Sequence, residues 1–361
     1  MNKEIFFVFK KGREINDSID KITSSEFYYG LVSMLKQNKP ANLFPEENIG
    51  IGSNLNLINK FINWISVKIF SIPLYPLLIF FFKKRSFNKK RIYILTTNTQ
   101  GILFSLAKYL KIIEADIYFI VMGAISDKIS KLKLKFLKTI LSNTKLIFQS
   151  DNEMIYVNKI MPNHKKYFVP FGVNHNFWIK DKDQLNKNYV LSIGNDLSRD
   201  HQLLIDSWKA EYPHLIIITK HRLKNLKKNI KIIIGDWKQK ILSDYDIRNF
   251  YRNSLFVVVA LKPNIDASGQ SVVLQALSCS KPVIITKTIG FWDNKYFKHG
   301  FNILFSKPND INDLQIQIEK LITKNDLRNK LENNSRQLIT KYFSEEIMSS
   351  QIYKIINENS N

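Results

Sequence analysis

One stretch of the sequence, "NIDASGQSVVLQALSCSKPVIITKTIG" at residues 264–290, combines residue types suited to binding an anion. A helix beginning at Gly269 or Gln270 would leave its first amide N–H groups unpaired at the positive end of the helix dipole. The amides of Gly269, Gln270 and Ser271 are therefore predicted to hold a phosphate, which can approach the glycine closely. Ser268 could instead serve only as a helix cap, and the sequence alone leaves both interpretations open.

Two other clusters of polar residues also follow predicted strands. "LSIGNDLSRDHQLLIDSW" contains Gly194, Asn195 and Arg199 between a strand and a helix, and "LIIITKHR" ends a strand at Lys220. The carboxyl ends of parallel strands share one edge of a sheet, where open α/β folds bind ligands. An arginine there can hold a diphosphate through two hydrogen bonds. Each cluster alone is typical of a solvated loop, but together they predict a diphosphate ligand.

The elements that would position these residues form an α/β pattern, because short apolar runs alternate with amphipathic segments. Strands are predicted at Ile5–Phe9, Ile92–Leu95, Ile117–Val121, Leu146–Gln149, Tyr167–Pro170, Tyr189–Ile193, Leu215–Thr219, Ile230–Ile234, Leu255–Ala260, Pro282–Thr286 and Ile303–Phe305. Helices are predicted at Gly101–Leu110, Gln202–Lys209, Ser271–Ser278 and Asp310–Ile322. A polar stretch at 174–188 is interpreted as an interdomain linker, and Gly172 before it as a hinge.

The composition fits two domains, since the chain has 361 residues of which 45% are hydrophobic. The net charge of +23 favours a polyanionic partner, although a lysine-rich coding bias explains it as well. The single cysteine, Cys279, excludes an intrachain disulfide, indicates a reducing compartment and is expected in the core. The N-terminus lacks the pattern of a secretory signal, so a cytoplasmic location is predicted.

Residues 61–85, "FINWISVKIFSIPLYPLLIFFFKKR", break the α/β pattern. The uncharged run from Ile69 to Phe82 is shorter than the roughly 20 residues of a spanning helix and contains two prolines. Its aromatic residues and the basic cluster after it favour an interfacial segment on anionic lipid at the inner face of the cell membrane. A buried core helix is the alternative.

The succession of motifs "FVPFGVNHNFW", "VLSIGNDLSRDHQLLIDSW", "ASGQSVVLQALSCSKPVIITKTIG", "HGFNILFSKPNDINDLQIQIEKL" and "YFSEEIMSSQIYKI" resembles the GT-B glycosyltransferases of family 4, the group 1 glycosyltransferases. The resemblance covers residues 140–358, and the first 140 residues match in pattern only. It implies two Rossmann-like domains facing a central cleft: an N-terminal acceptor domain at 1–173 and a nucleotide-sugar-binding domain at 174–342. The segment 343–361 is expected to be a helix crossing back to the N-terminal domain.

Carried over by position, the resemblance makes Arg199 a contact of the donor diphosphate. Asn195 stands where the family usually has an arginine, so Lys220 is the candidate for the missing cation. The family's two glutamates correspond to Asp266, at the donor sugar, and Gln275, at the ribose hydroxyls, with a spacing one residue longer than usual. A glutamine can still exchange hydrogen bonds with a ribose. Asp266 is the one catalytic candidate.

The family's usual N-domain features are less clear in this sequence. Gly12, Arg13 and Glu14 are candidates for its glycine-containing loop, with a plain polar loop as the alternative. Where many members have a histidine, this chain offers Gly123 and Asp127. The chain's histidines lie elsewhere, and each is interpreted as a surface or loop residue: His164, His175, His201, His214, His221 and His299.

The resemblance implies a hexosyltransferase that retains anomeric configuration and needs neither a metal nor a resident cofactor. Its co-substrate is a nucleotide-diphosphate-sugar and its acceptor a membrane-associated glycan or lipid, as in bacterial polysaccharide or lipopolysaccharide biosynthesis. A catalytically silent scaffold is the alternative, suggested by the exchanges at Asn195 and Gln275. A carboxylate-rich epimerase site is not evident. Nucleic acid is not expected as a partner, because the densest aromatic run, Phe80–Phe82, suits lipid better.

Overall fold

The computed structural model describes residues 3–9, 24–44, 61, 63–64, 66–68, 91–127, 129–180, 188–235 and 241–359. Within these ranges the chain forms two six-stranded parallel sheets with flanking helices, which confirms the predicted α/β class. The candidates Gly12, Arg13 and Glu14 lie outside the described residues, as does most of the segment 61–85. No helix within the described ranges has the length and apolar character needed to cross a membrane.

The chain divides into two compact units, of which the first comprises Met1–Ile19, Tyr28–Pro170 and Ser349–Asn361. Its strands are β1 (Glu4–Val8), β2 (Ala41–Leu43), β3 (Arg91–Leu95), β4 (Asp116–Val121), β5 (Lys145–Phe148) and β6 (Lys166–Phe168), in the sheet order β2-β1-β3-β4-β5-β6. Its helices are α1 (Leu31–Lys36), α2 (Asn98–Tyr109), α3 (Lys131–Ile140) and α4 (Asp151–Ile160). Helix α2 packs tightly on β4, since a Cβ on Gly101 would lie 2.2 Å from the Phe119 ring.

The second unit comprises Asp20–Phe27 and Phe171–Met348. Its strands are β7 (Tyr189–Ile193), β8 (His214–Thr219), β9 (Ile230–Ile234), β10 (Val257–Val259), β11 (Val283–Thr286) and β12 (Leu304–Ser306), in the order β12-β11-β10-β7-β8-β9. Its helices are α5 (His201–Ser207), α6 (Asp244–Asn253), α7 (Gln270–Ser278), α8 (Ile311–Thr323) and α9 (Asn325–Tyr342). Helix α10 (Glu345–Glu358) begins in this unit and continues into the first. The strand order reverses between β7 and β10, as in the Rossmann fold.

The predicted strands are all present, β7 and β9 with the predicted ends and the others with ends shifted by one or two residues. Most of them are apolar runs that the sheet buries, whereas β6 and β9 are only partly buried. Strand β2 was not predicted. It has three residues, and only Ala41 among them is buried, so it carries no apolar run that a sequence pattern could reveal. Cys279 is buried, as expected.

The interpretation of Gly172 as a hinge is wrong. Its φ lies outside the left-handed region, so the backbone angle does not require glycine. A Cβ at this position would instead come within 2.2 Å of the Ser344 carbonyl oxygen. The two segments are tied by hydrogen bonds from Val173 N to the Phe343 carbonyl (2.9 Å) and from Glu345 N to the Val173 carbonyl (3.0 Å). Glycine therefore serves close packing here.

Candidate functional site

The candidate site lies at the carboxyl ends of β7 and β10, where the strand order of the second sheet reverses. Open α/β sheets bind ligands in the crevice that forms at such a reversal, because the loops diverge there. The loops after these two strands are joined by backbone hydrogen bonds, from Asp200 N to the Ala260 carbonyl (2.9 Å) and from Lys262 N to the Ser198 carbonyl (2.8 Å). Two of the clusters predicted from sequence therefore meet at one place.

Arg199 is the buried cation of this site, with 7% of its surface exposed. Its guanidinium lies between two glycines: a Cβ on Gly194 would be 2.1 Å from Nε, and a Cβ on Gly269 would be 3.1 Å from Nη1. The side chain pairs with Asp196, whose Oδ2 lies 2.8 Å from Nε. Nη1 is buried without a hydrogen-bond partner among the described residues. A desolvated cation with an unused N–H is suited to binding an anion.

Asp196 shares the guanidinium with any anion that binds there. Burial raises the pKa of its carboxyl, but the Arg199 charge and the Ser198 hydroxyl lower it more, so that the pKa lies below its usual value. The carboxylate therefore stays ionised and holds the Nε edge of Arg199. Nη1, in contrast, makes no hydrogen bond within the described part of the chain.

The start of helix α7 shows that Ser268 is not its cap. The residue that precedes the helix is Gly269, with φ +80°, and no side chain caps the first turn. The hydroxyls of Ser268 and Ser198 instead form a hydrogen bond with each other, with their oxygens 2.7 Å apart. Ser268 therefore joins the two loops, and the helix presents its first amides, those of Gln270 and Ser271, without a side-chain cap.

The third predicted cluster is tied to the first through Asn195. Its Oδ1 accepts the backbone N–H of Lys220 at 2.7 Å, and its Nδ2 donates to the Gly235 carbonyl at 2.5 Å. His221 Nε2 contacts the Asn195 carbonyl at 2.9 Å. The Asn195 amide thus holds the ends of β7, β8 and β9 together, while the Lys220 side chain is exposed.

His201 makes a hydrogen bond to the backbone of the loop that follows β7. Its Nε2 lies 3.1 Å from the Gly194 carbonyl, and because a carbonyl can only accept, this nitrogen carries the proton. Burial lowers the pKa of His201 to about 4, despite the opposite effect of that hydrogen bond. The imidazole is therefore neutral at neutral pH. The interpretation of His201 as a surface or loop residue is therefore wrong, because it is the first residue of α5 and only 5% exposed.

Asp266 lies in the loop between β10 and α7 and is half-buried. Its carbonyl accepts the Ser268 N–H at 2.7 Å. The loop is pressed against Gly290, where a Cβ would lie 2.4 Å from the Asp266 carbonyl oxygen. A second contact joins Gly290 N to the Asn264 carbonyl at 3.1 Å. Contacts of Asn264 and Asp266 with Gly290 therefore fix the backbone of the loop before α7.

Gln275, one turn after the start of α7, belongs to a buried hydrogen-bond network. Its Nε2 donates to Glu26 Oε1 at 2.7 Å, and its Oε1 accepts from the Tyr251 hydroxyl at 3.2 Å. Trp178 Nε1 also donates to Glu26 Oε1, at 2.8 Å. Glu26 was missed by the sequence analysis, and its only signal is that it is a lone charge before the aromatic run Phe27–Tyr29.

Comparison with known families and structures agrees with this arrangement. Residues 176–338 match the family described as "Glycosyl transferases group 1". An uncharacterized glycosyltransferase from Methanocaldococcus jannaschii is 31% identical over 113 residues, which are 31% of this chain. That match spans 30% of the length of the relative.

Two solved structures resemble the whole chain. A glycosyltransferase from Rickettsia africae ESF-5 has a TM-score of 0.70 at 16% identity, covering 99% of both chains. Anabaena HepE, solved in complex with UDP-glucose, has a TM-score of 0.70 at 13% identity, covering 99% of this chain and 100% of its own. The fold is that of the GT-B glycosyltransferases.

Proposed function

We propose that this protein is a family 4 glycosyltransferase that moves a sugar from a nucleotide-diphosphate-sugar to a membrane-associated glycan or lipid-linked acceptor. The observation that carries the proposal is the buried Arg199 guanidinium, held against Gly269 at the uncapped start of α7. A cation and a helix N-terminus converging on one point suit a diphosphate. The match to group 1 glycosyltransferases over 176–338 and the UDP-glucose complex of HepE support the same ligand class.

The proposed chemistry is departure of a nucleoside diphosphate with retention of anomeric configuration. Negative charge develops on the diphosphate as the glycosidic bond breaks, and Arg199 together with the first amides of α7 would stabilise it. The departing phosphate oxygen can accept the proton of the acceptor hydroxyl, so no histidine is needed as a base. Asp266 is proposed to contact the donor sugar. Lys220 would add positive charge from the exposed end of β8.

The proposed acceptor is at a membrane, with contact through the segment 61–85. Phe61 and Trp64 are 60% and 59% exposed, and their rings stack with centroids 6.2 Å apart. Lys68 Nζ lies 5.0 Å from the Trp64 ring. Exposed aromatic rings beside a lysine suit an anionic lipid interface. Residues 69–82, which carry the apolar run, lie outside the described residues.

Membrane contact is tested by sedimentation with vesicles of phosphatidylglycerol and phosphatidylcholine. Deletion of 69–82, or the double change Phe61→Ser with Trp64→Ser, should lower the bound fraction several-fold. Phe301→Ser is the matched control, since Phe301 is an aromatic residue of the second unit that is 50% exposed. Equal binding by all variants would remove the segment from the proposal.

A catalytically silent scaffold is the second candidate, favoured by one specific observation. The amides of Asn195 and Gln275, the two positions that depart from the family pattern, both make hydrogen bonds within the protein. Such groups can hold a structure together without catalysing a reaction. The binding of a nucleotide without transfer of its sugar would be the signature of this candidate.

Turnover with a panel of radiolabelled sugar nucleotides and a membrane extract separates the two candidates. Transfer of label to a lipid or glycan fraction, lost in Arg199→Ala, establishes the enzyme. Tight nucleotide binding without transfer to any fraction favours the scaffold. Calorimetry with UDP, ADP and GDP measures the binding step by itself.

A further inference from the structure

Among the described residues of the second unit, Glu26 is the most deeply buried acid, with 0% of the residue exposed. Its Oε1 accepts two hydrogen bonds, from Trp178 Nε1 at 2.8 Å and Gln275 Nε2 at 2.7 Å. Its Oε2 is buried and has no hydrogen-bond partner among the described residues. A half-satisfied buried carboxyl lowers stability, so its presence calls for an explanation outside packing.

The surroundings of Glu26 favour its neutral form. Burial raises the pKa of its carboxyl, the hydrogen bonds from Gln275 and Trp178 oppose this in part, and the negative charge of Asp244 raises the pKa again. The net direction is upward. The carbonyl oxygen of a neutral acid still accepts both hydrogen bonds, and a glutamine at this position would present the same oxygen.

Glu26 fixes the orientation of the Gln275 amide. A primary amide has two N–H groups and two lone pairs, and the protein uses one N–H, towards Glu26, and one lone pair, towards the Tyr251 hydroxyl. The indole N–H of Trp178 can only donate, so it favours Glu26 Oε1 as the acceptor oxygen. The Gln275 amide is then oriented with its nitrogen towards Glu26 and its oxygen towards Tyr251. One N–H and one lone pair remain, and Gln275 is still 7% exposed. That pair matches the two hydroxyl groups of a ribose.

The position of Gln275 on the helix suits the same ligand. Gln275 follows Ser271 by four residues, so the two lie on one face of α7, about one 5.4 Å turn apart. Arg199 lies at the start of the same helix, since its Nη1 would be 3.1 Å from a Cβ on Gly269, the residue that precedes α7. A nucleotide with its diphosphate at Arg199 and the first turn would have its ribose beside Gln275.

We infer that Glu26 is a positioning residue for the donor nucleotide: it locks the Gln275 amide so that the remaining N–H and lone pair bind the ribose hydroxyls. The inference rests on the proposed nucleotide-sugar function and names the residue that gives the site its preference for ribose. Glutamine at 275 is also explained, because a second carboxyl at that position would face the carboxyl of Glu26.

The test compares three ligands by calorimetry: whichever of UDP, ADP and GDP binds the wild type most tightly, its 2′,3′-dideoxy form and inorganic pyrophosphate. The wild type should prefer the ribose form by about tenfold, the effect of a lost hydrogen bond or two. Glu26→Leu removes the acceptor, so the preference should fall to within about twofold while pyrophosphate affinity stays unchanged. Glu26→Gln keeps the acceptor oxygen and should keep the preference.

If Glu26→Leu does not fold, exchanging the acid and the amide between positions 26 and 275 provides a second measurement. Gln275→Glu alone places two carboxyls face to face and should lower the melting temperature. The double change Glu26→Gln with Gln275→Glu restores one acid and one amide, so it should recover both the melting temperature and the ribose preference. If Glu26 has only a structural role, the double change should recover the melting temperature but not the preference for the ribose form.

Each outcome either supports or overturns the role proposed for Glu26. Loss of the ribose preference in Glu26→Leu with its retention in Glu26→Gln supports it, as does its recovery in the double exchange. A wild type that binds nucleotide without distinguishing the dideoxy form overturns it, as does a preference unchanged in Glu26→Leu. A wild type that binds no nucleoside diphosphate and no pyrophosphate overturns the proposed donor site, and the inference with it.

Discussion

The guanidinium of Arg199 lies directly against Gly269, so that a Cβ on this glycine would come within 3.1 Å of Nη1 and 2.8 Å of Val259 Cγ1. Gly269 also has φ +80°, which favours glycine. The loop after β7 and the start of α7 therefore meet with no room for a side chain. This contact places a buried cation beside the first turn of α7, which no side chain caps, and the proposed diphosphate site depends on it.

Gly269→Ala should therefore weaken nucleotide-diphosphate binding by tenfold or more, because the new methyl group displaces Arg199. Gly300→Ala is a matched control, since Gly300 also has a positive φ, +71°, but a Cβ there has nothing within 4 Å. Both changes should destabilise the fold by about 1–2 kcal/mol through backbone strain. Calorimetry with UDP measures the difference, and equal affinities in the two variants would contradict the role given to this contact.

Arg199→Ala should lower the affinity for the diphosphate by about 30- to 100-fold, which corresponds to charge-assisted hydrogen bonds of about 2–3 kcal/mol. Arg199→Lys should recover only part of the loss, because an ammonium cannot reproduce the planar fork. Arg222→Ala, at an exposed position after β8, is the control and should change affinity by less than about threefold. Unchanged affinity in Arg199→Ala would remove this residue from the site.

His201 should make stability depend on pH in the mildly acidic range. Its pKa is about 4 in the folded protein, against a usual value of 6.5. Between these values the unfolded chain binds a proton that the folded protein does not, so stability falls as the pH falls from 6.5 to 4. The loss should approach about 3 kcal/mol below pH 4 and be absent above pH 7.

The variant His201→Gln isolates this contribution, because glutamine can donate to the Gly194 carbonyl but does not titrate. Urea unfolding at pH 7, 6, 5 and 4 should show that the free energy of unfolding decreases less steeply in the variant. Parallel pH curves for the two proteins would show that His201 is not buried as a neutral imidazole.

Cys279 should be unreactive in the native protein and reactive after unfolding. Burial raises the pKa of its thiol to about 12, and the residue is 0% exposed. A disulfide reagent that absorbs on reaction should label the folded protein slowly, and one equivalent should react rapidly in urea. Cys279→Ala provides the blank, since the chain has no other cysteine. Rapid labelling without denaturant would contradict the burial.

The sequence by itself determined most of the secondary-structure elements and the residue types of the proposed diphosphate site. Apolar runs of strand length predicted the strands of both sheets except β2, whose two exposed residues leave no apolar pattern. The polar loops around Arg199 and Gly269 were recognisable because each combines a glycine with a cation or a helix start within a few residues. Such signals are local, and local backbone preferences and hydrophobic periodicity encode them.

Only the tertiary structure decided which of these groups touch. Glu26 and Gln275 are 249 residues apart in the sequence and form a buried hydrogen bond that no local sequence pattern predicts. The sequence left open whether Ser268 caps α7, and in the structure it lies 2.7 Å from Ser198 of the neighbouring loop instead. Gly172 looked like a hinge, whereas the packing of Ser344 requires it. Contacts between distant segments follow from the strand order and from the shapes that pack upon it, and residue type and spacing do not specify either.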